Sequence, residues 1–87
     1  MFGNVTIKNV KDDLGKLVKT LRSNRSLTQE ELAEKLGLSR LTIQNLEAGK
    51  NPTIDTLLKV LQHFDLLATF DGFVKTEIEN NNVPSLY

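Results

Sequence analysis

Two polar side chains, Arg40 and Asn45, are the residues of this 87-residue chain best suited to reading nucleic-acid bases. A guanidinium group can donate two hydrogen bonds to O6 and N7 of guanine, and a carboxamide can pair with N6 and N7 of adenine. Gln29 suits a phosphate oxygen if it begins a helix, because free N–H groups and the positive end of the helix dipole lie there. Each side chain alone could equally be a solvated polar residue. Whether they form a binding surface depends on the secondary-structure elements that position them.

The composition argues against several other chemistries. The chain has no Cys, which excludes disulfides, Cys-based zinc sites and thiol nucleophiles. Its single histidine, His63, lies beside Phe64 without a clustered set of carboxylates to complete a metal site. Neither a Gly-rich phosphate loop nor a Ser-His-Asp arrangement is indicated by local spacing. We expect no enzymatic activity, no metal and no cofactor.

The distribution of charge is uneven, although eleven basic and eleven acidic side chains cancel over the whole chain. Residues 1–50 hold nine basic and six acidic side chains, a charge of +3, and residues 51–87 hold two and five, a charge of −3. This division suggests two functional surfaces.

Apolar runs are too short to span a membrane and residues 1–10 have no signal-peptide core, so we expect a cytoplasmic protein.

Apolar periodicity and capping signals predict four helices. The first covers about residues 10–24, with Asn9 as a candidate N-cap. The second starts at Thr28, where the sequence matches a capping box, and stops at Gly37. The third runs from Ser39 to Ala48. The fourth follows Thr53 and carries the strongest inward apolar series, which comprises Ile54, Leu57, Leu58, Leu61 and Phe64.

The pattern changes after Asp65. The largely apolar segment over 66–70, the pair Asp71-Gly72 and a period-two character over 73–78 predict a strand, a turn and a second strand. Residues 80–87 contain turn formers without periodicity, which is typical of a mobile tail. The chain therefore divides into a helical domain (1–65), a strand element (66–79) and a flexible tail (80–87).

The second and third helices, joined by a tight Gly turn within about twenty residues, form a helix-turn-helix layout. On the third helix Ile43 and Leu46 point inward. The outward positions are occupied by Leu41, Gln44, Asn45 and Ala48, with Arg40 able to reach sideways. This layout favours DNA binding, and a plain helical bundle is the alternative that it leaves open.

The segment LTQEELAEKLGLSRLTIQNLEAGK resembles the Xre family of Cro- and lambda-repressor-type proteins, and the resemblance extends over roughly residues 14–64. The continuation NPTIDTLLKVL, leading into an apolar segment, is similar to the HipB-like antitoxins. The resemblance implies a mainly α, four- to five-helix lambda-repressor-like domain. With the strands predicted above, a short C-terminal β element would lie at the dimer interface.

The family pattern also implies roles for individual residues. Arg40 and Asn45 match its base-contacting positions, and Ser39, Thr42 and Lys50 join Gln29 at phosphate-contacting positions. Leu41 departs from a common polar choice, which leaves a thymine methyl contact or an ordinary exposed Leu. Arg22 and Glu47 match positions that commonly pair as scaffold. The basic residues Lys16, Lys19, Arg22 and Arg25 extend toward the DNA backbone or simply solubilise the helix.

These features predict a homodimeric, sequence-specific repressor of double-stranded DNA with a near-palindromic operator. The resemblance implies the antitoxin of a pair with a HipA-like kinase toxin. Two alternatives stay open: a protein-interaction module in which DNA binding is secondary, and a stand-alone phage-type repressor.

Overall fold

The computed structural model describes residues 4–82, and within that range it contains five α-helices and no strand. The helices are α1 (Ile7–Asn24), α2 (Gln29–Leu36), α3 (Arg40–Glu47), α4 (Ile54–His63) and α5 (Leu67–Asn81). Helix α3 packs against α1 and α2, while α4 lies between α2 and α5. The expectation of a mainly helical helix-turn-helix fold is confirmed.

The first helix begins earlier than its apolar periodicity predicts. Thr6 is the N-cap: its hydroxyl accepts a hydrogen bond from the Asn9 N–H at 3.0 Å, and Asn9 Oδ1 accepts one from the Thr6 N–H at 3.3 Å. Asn9 is therefore the third residue of a reciprocal capping box and not the cap itself. The prediction of Asn9 as cap was wrong because an amide side chain can serve at either position.

The boundaries of α2 and α3 are the predicted ones. Thr28 and Glu31 form the expected capping box, with the Glu31 N–H donating to Thr28 Oγ1 at 3.0 Å and the Thr28 N–H donating to Glu31 Oε1 at 2.8 Å. Gly37 ends α2 in the left-handed conformation, with φ of 69°. Ser39 then caps α3 by accepting from the Thr42 N–H at 3.1 Å.

Non-glycine residues make the same left-handed turn after α1 and α4. Ser26 has φ of 55° and Asp65 has φ of 60°. In each turn the next N–H reaches back five residues to a helix carbonyl, from Leu27 to Arg22 at 3.1 Å and from Leu66 to Leu61 at 2.8 Å. This hydrogen-bonding pattern is that of a Schellman turn, and it reverses the chain within a few residues.

The core lies where the first four helices meet. Its buried members are Val18, Leu32, Ala33, Ile43, Leu46, Val60 and Phe64. Ile54, predicted to point inward, is 70% exposed, so that assignment was wrong. Ile54 is the first residue of α4, and the helix start extends beyond the core, so that its packed face begins only at the buried Thr56.

The predicted strand–turn–strand element is wrong, because residues 67–81 form α5. Apolar residues in this segment fit a helical spacing as well as an alternating one, as Phe70, Val74 and Ile78 are four residues apart. The helix also gains an i,i+4 ion pair between Lys75 Nζ and Asp71 Oδ2 at 3.0 Å. Residues 4–82 therefore offer no strand on which a β-based dimer interface could form.

The last predicted segment falls partly outside the structure. Residues 80 and 81 belong to α5, and the remainder of the predicted tail beyond residue 82 lies outside the described residues. Within the described range, none of the helices has the length and apolar content needed to cross a membrane.

Candidate nucleic-acid interface

Helix α3 is held against α1 by an unusually close backbone approach at Gly15. A Cβ atom on this residue would lie 2.5 Å from the carbonyl oxygen of Glu47 and 2.8 Å from that of Leu46. Such distances are below any real van der Waals contact, so only glycine fits. The end of α3 therefore rests directly on the backbone of α1, which fixes the position of the helix.

A network of side chains centred on Glu47 completes this anchoring. Arg22 donates from Nε to Glu47 Oε2 at 2.7 Å and from Nη2 to Oε1 at 3.0 Å. Its remaining Nη1 donates to the Leu27 carbonyl at 2.8 Å. Both side chains of the ion pair are largely buried, with 13% of Arg22 and 5% of Glu47 exposed. The pairing implied by the family resemblance is thus present and connects α1, α3 and the loop before α2.

The environment of Glu47 favours its ionised form. Burial by itself raises the pKa of this carboxyl, but the hydrogen bonds from Arg22 and Gln29, with the nearby charges of Arg22 and Lys19, outweigh it and hold the pKa below its ordinary value. The same pair raises the pKa of Arg22. Both groups are therefore charged at neutral pH, and the network is structural.

The outward face of α3 contrasts with this anchored side. Arg40 and Gln44 are exposed, Asn45 is half-buried, and Leu41 is 62% exposed. Within residues 4–82, the side chains that form hydrogen bonds on α3 and its cap are those of Ser39, Thr42 and Glu47 only. The donors of Arg40, Gln44 and Asn45 are consequently available to an external acceptor.

The N-termini of α2 and α3 are both candidate positions for a phosphate group, and that of α3 is better suited to it. Its first turn contains no acidic residue, whereas the first turn of α2 contains Glu30 and Glu31. Ser39 and Thr42 lie here, with their hydroxyl oxygens 2.8 Å apart. The Ser39 oxygen also accepts from the backbone as the cap. Free N–H groups at this helix start, next to these hydroxyls, suit an anionic oxygen.

Gln29 has a structural contact that its sequence position does not reveal. Its Nε2 donates to Glu47 Oε1 at 3.0 Å, so one of its two amide hydrogens is already engaged. The structure nevertheless brings Gln29 and Arg40 to one cleft of about 420 Å³, together with Arg22, Thr28 and Glu30. The remaining amide hydrogen and the carbonyl oxygen of Gln29 are the groups left for an outside contact.

The basic residues near this surface divide into engaged and exposed ones. Arg22 is bonded to Glu47 as described. Arg25 lies with its guanidinium 4.8 Å from the ring centre of Phe64, and its Nη1 donates to the His63 carbonyl at 3.3 Å. Lys50, which follows Gly49 (φ of 77°), is exposed. Lys16 and Lys19 are also exposed on α1, so they, unlike Arg22 and Arg25, are available to a phosphate backbone.

Two positioning features were missed by the sequence interpretation. Gly15 interrupts an apolar helix face between Leu14 and Val18, and a glycine there is a signal of close packing that could have been recognised. The second is a hydrogen bond from Lys11 Nζ to Asn51 Oδ1, which joins α1 to the loop after α3. No local signal predicts this contact over forty residues.

Within residues 4–82, no cluster of His, Asp or Glu has the arrangement of a metal site.

Comparison with known proteins agrees with this geometry. The family model "Helix-turn-helix" matches residues 18–68. The chain is 39% identical over 57 residues to the antitoxin HipB of Escherichia coli K12, a match that covers 64% of this chain and 65% of HipB. It is 44% identical over 48 residues to an uncharacterised helix-turn-helix transcriptional regulator of Methanocaldococcus jannaschii, covering 54% and 73% of the two chains. A putative regulator of Methanospirillum hungatei is 39% identical over 51 residues, 59% of this chain and only 17% of the relative.

Proposed function

Because the chain belongs to the helix-turn-helix family of Xre type, we propose that it is a sequence-specific transcriptional repressor that inserts α3 into the major groove of duplex DNA. In this proposal Arg40 and Asn45 contact base edges, and Gln44 supplies a further amide. Leu41 lies against a thymine methyl group. The phosphate contacts come from Gln29, Ser39, Thr42 and Lys50.

The observation that carries the proposal is the contrast between the two sides of α3. One side is fixed by the Gly15 approach and the Arg22–Glu47 pair. The other side presents hydrogen-bond donors that have no partner within the described residues. In the buried part of the same residues, by contrast, every polar side-chain atom has a partner. A rigidly held helix with unengaged hydrogen-bond donors is what base readout requires.

Readout can be tested with variants that separate base contacts from phosphate contacts. We expect Arg40→Ala and Asn45→Ala to cost about 1–3 kcal/mol of operator affinity and to relax specificity at one base step each. Lys50→Ala should weaken binding to all sequences about equally. Lys59→Ala serves as its control, because Lys59 lies on α4 and pairs with Asp55. Wild-type operator affinity in both base-contact variants would refute the assignment.

The salt dependence of binding supplies an independent measurement. Each neutralised phosphate contributes about 0.9 to the slope of log affinity against log salt on duplex DNA. A repressor with several phosphate contacts should show a steep slope, and Lys50→Ala should reduce it by about one. A flat and weak response would favour the alternative in which the domain is mainly a protein-interaction module.

The biological setting that we propose is an antitoxin that represses its own operon as a homodimer and binds a HipA-like kinase toxin. The similarity to HipB supports this role, and that match covers 65% of HipB. The test is to measure binding of the purified chain to the product of the neighbouring open reading frame. Absence of binding, with operator binding intact, would favour a stand-alone repressor.

A further inference from the structure

The loop between α3 and α4 is held to the first turns of α1 at two points. Gly49 lies so close to Asp12 that a Cβ atom at residue 49 would collide with the Asp12 carboxylate. That carboxylate is fixed in turn by Lys8, whose Nζ lies 2.8 Å from Asp12 Oδ2. The second point is the hydrogen bond from Lys11 Nζ to Asn51 Oδ1. The path of the loop is therefore set by α1 as well as by α3.

The backbone of this loop leaves Asn51 little conformational freedom. Gly49 is left-handed, with φ of 77°, and the next N–H, that of Lys50, donates back to the Asn45 carbonyl at 3.0 Å. Pro52 restricts the residue before it to extended backbone conformations. The side chains of Lys50 and Asn51 are both exposed. A restrained loop thus presents two neighbouring polar side chains directly after the last turn of α3.

The bond from Lys11 also fixes which end of the Asn51 amide faces outward. An ammonium group has three donors and no acceptor, so it can bind only the amide oxygen. The Nδ2 group of Asn51 therefore points away from Lys11, and it has no hydrogen-bond partner within residues 4–82. A cation on the carbonyl oxygen also polarises the amide, which makes its N–H groups stronger donors. The side chain is oriented and polarised to bind an anionic acceptor.

We propose that Asn51 Nδ2 donates a hydrogen bond to a DNA phosphate oxygen, and that Lys11 acts through Asn51 as a positioning residue. The inference rests on the proposed function, because it takes α3 to lie in the major groove. From Ser39 to Ala48 the helix rises about 14 Å, which is comparable with the width of that groove, about 12 Å. When the N-terminus of α3 lies near phosphates on one side of the groove, the loop that carries Asn51 lies near phosphates on the other side.

The two exposed neighbours in the loop contribute differently to binding. The charge of Lys50 neutralises a phosphate and releases a counterion, whereas the amide of Asn51 is neutral and releases none. Lys11 stays bound to the amide oxygen in this arrangement. The contact through Asn51 therefore strengthens binding without steepening its dependence on salt. It strengthens binding to every base sequence alike, because a phosphate contact carries no sequence information.

The test measures the affinity of the full chain for two duplexes, one selected from a random pool and one unrelated, over a series of NaCl concentrations. We expect Asn51→Ala to weaken binding to both duplexes about fivefold to tenfold, as for the loss of one hydrogen bond to a charged group, with an unchanged salt slope. Lys11→Met should cause the same loss with the same slope. Lys11→Arg keeps the donors and should recover most of the affinity. Lys59→Met is the matched control, because Lys59 pairs with Asp55 on α4, and it should bind like wild type.

The double variant Lys11→Met/Asn51→Ala separates positioning from direct contact. If Lys11 acts through Asn51, the double variant binds like Asn51→Ala alone. Additive losses, with a salt slope lowered by about 0.9 in Lys11→Met, would show that Lys11 contacts DNA itself and would overturn its positioning role. A lowered slope in Asn51→Ala would show that the substitution displaces Lys50, and wild-type affinity in Asn51→Ala would show that no contact exists. Either result would overturn the proposal.

Arg40→Ala on the same two duplexes distinguishes failure of this inference from failure of the proposed function. If Arg40→Ala loses discrimination between the duplexes while Asn51→Ala binds like wild type, base readout stands and only the Asn51 contact is overturned. If wild type binds both duplexes equally and Asn51→Ala weakens both, the contact stands without base readout. A chain for which the random pool yields no duplex would overturn both.

Discussion

The Arg22–Glu47 pair allows the anchoring of α3 to be tested quantitatively, and we expect Arg22→Met to destabilise the domain strongly. The variant removes three hydrogen bonds, two to Glu47 and one to the Leu27 carbonyl. It leaves a carboxylate that is 5% exposed with only the Gln29 amide as partner. Breaking a buried pair in this way costs about 3–5 kcal/mol, and the partial exposure of Arg22 places the estimate near the lower value, about 3 kcal/mol.

The assay is urea unfolding followed by circular dichroism at neutral pH, with a thermal melt in parallel. A loss of about 3 kcal/mol in a domain of this size corresponds to a fall in Tm of roughly 12–24 °C. The double variant Arg22→Met/Glu47→Leu removes the stranded charge and should recover much of the loss, because the two residues act as one unit. Arg22→Lys keeps the charge without the two-pronged geometry and should lie between wild type and Arg22→Met.

The pH dependence gives a sign that can be checked. The pKa of Glu47 is held below its ordinary value in the folded state. Its contribution to the free energy of unfolding is therefore fully present above the unfolded pKa of about 4.3 and is lost as pH falls through the folded value. In Arg22→Met only the Gln29 hydrogen bond and the Lys19 charge still oppose the effect of burial on the carboxyl pKa, so the stability gap to wild type should narrow on acidification. A cost below about 1 kcal/mol, typical of a surface pair, or an additive double variant would refute the reasoning.

Three further substitutions test the backbone geometry by denaturant unfolding. Gly15→Ala should destabilise by about 1–3 kcal/mol, because its Cβ would meet the Glu47 carbonyl at 2.5 Å; stability equal to wild type would contradict the close approach. Gly72→Ala has no heavy atom of the fold near its Cβ and should raise helicity and stability by up to about 1 kcal/mol, whereas a hairpin turn at this position would be weakened by it. Ser26→Gly should stabilise by up to about 1 kcal/mol by relieving the left-handed strain, and Ser23→Gly, inside α1, is the matched control that should destabilise.

The sequence alone predicted which residues lie on the surface of the candidate site, because the signals that set helix ends and helix faces are local. Capping boxes, left-handed glycine turns and the angular distribution of α3 side chains all act within a few residues, so Thr28, Gly37 and Ser39 mark the helix ends in the sequence itself. The outward position of Arg40, Gln44 and Asn45 follows from the inward position of Ile43 and Leu46. Whether these outward residues read bases stays a prediction.

The tertiary structure alone decided the features that depend on residues far apart in the chain. Gln29 and Glu47 are eighteen positions apart in the sequence, and Gly15 is about thirty positions from the end of α3 that it contacts. A local sequence pattern carries no information about contacts between residues so far apart in the chain. The exposure of Ile54 is likewise decided by where the core ends.

Helix α5 shows the same division between local pattern and tertiary contacts. Its apolar residues fit both a helical and an alternating period, so the sequence by itself determined that residues 66–78 carry an apolar face but not the secondary structure. The left-handed turn at Asp65, closed by the bond from the Leu66 N–H to the Leu61 carbonyl, redirects the chain so that α5 packs on α4. A helix satisfies its backbone hydrogen bonds within itself, whereas a strand at this position would need an adjacent strand that the rest of the described chain does not supply.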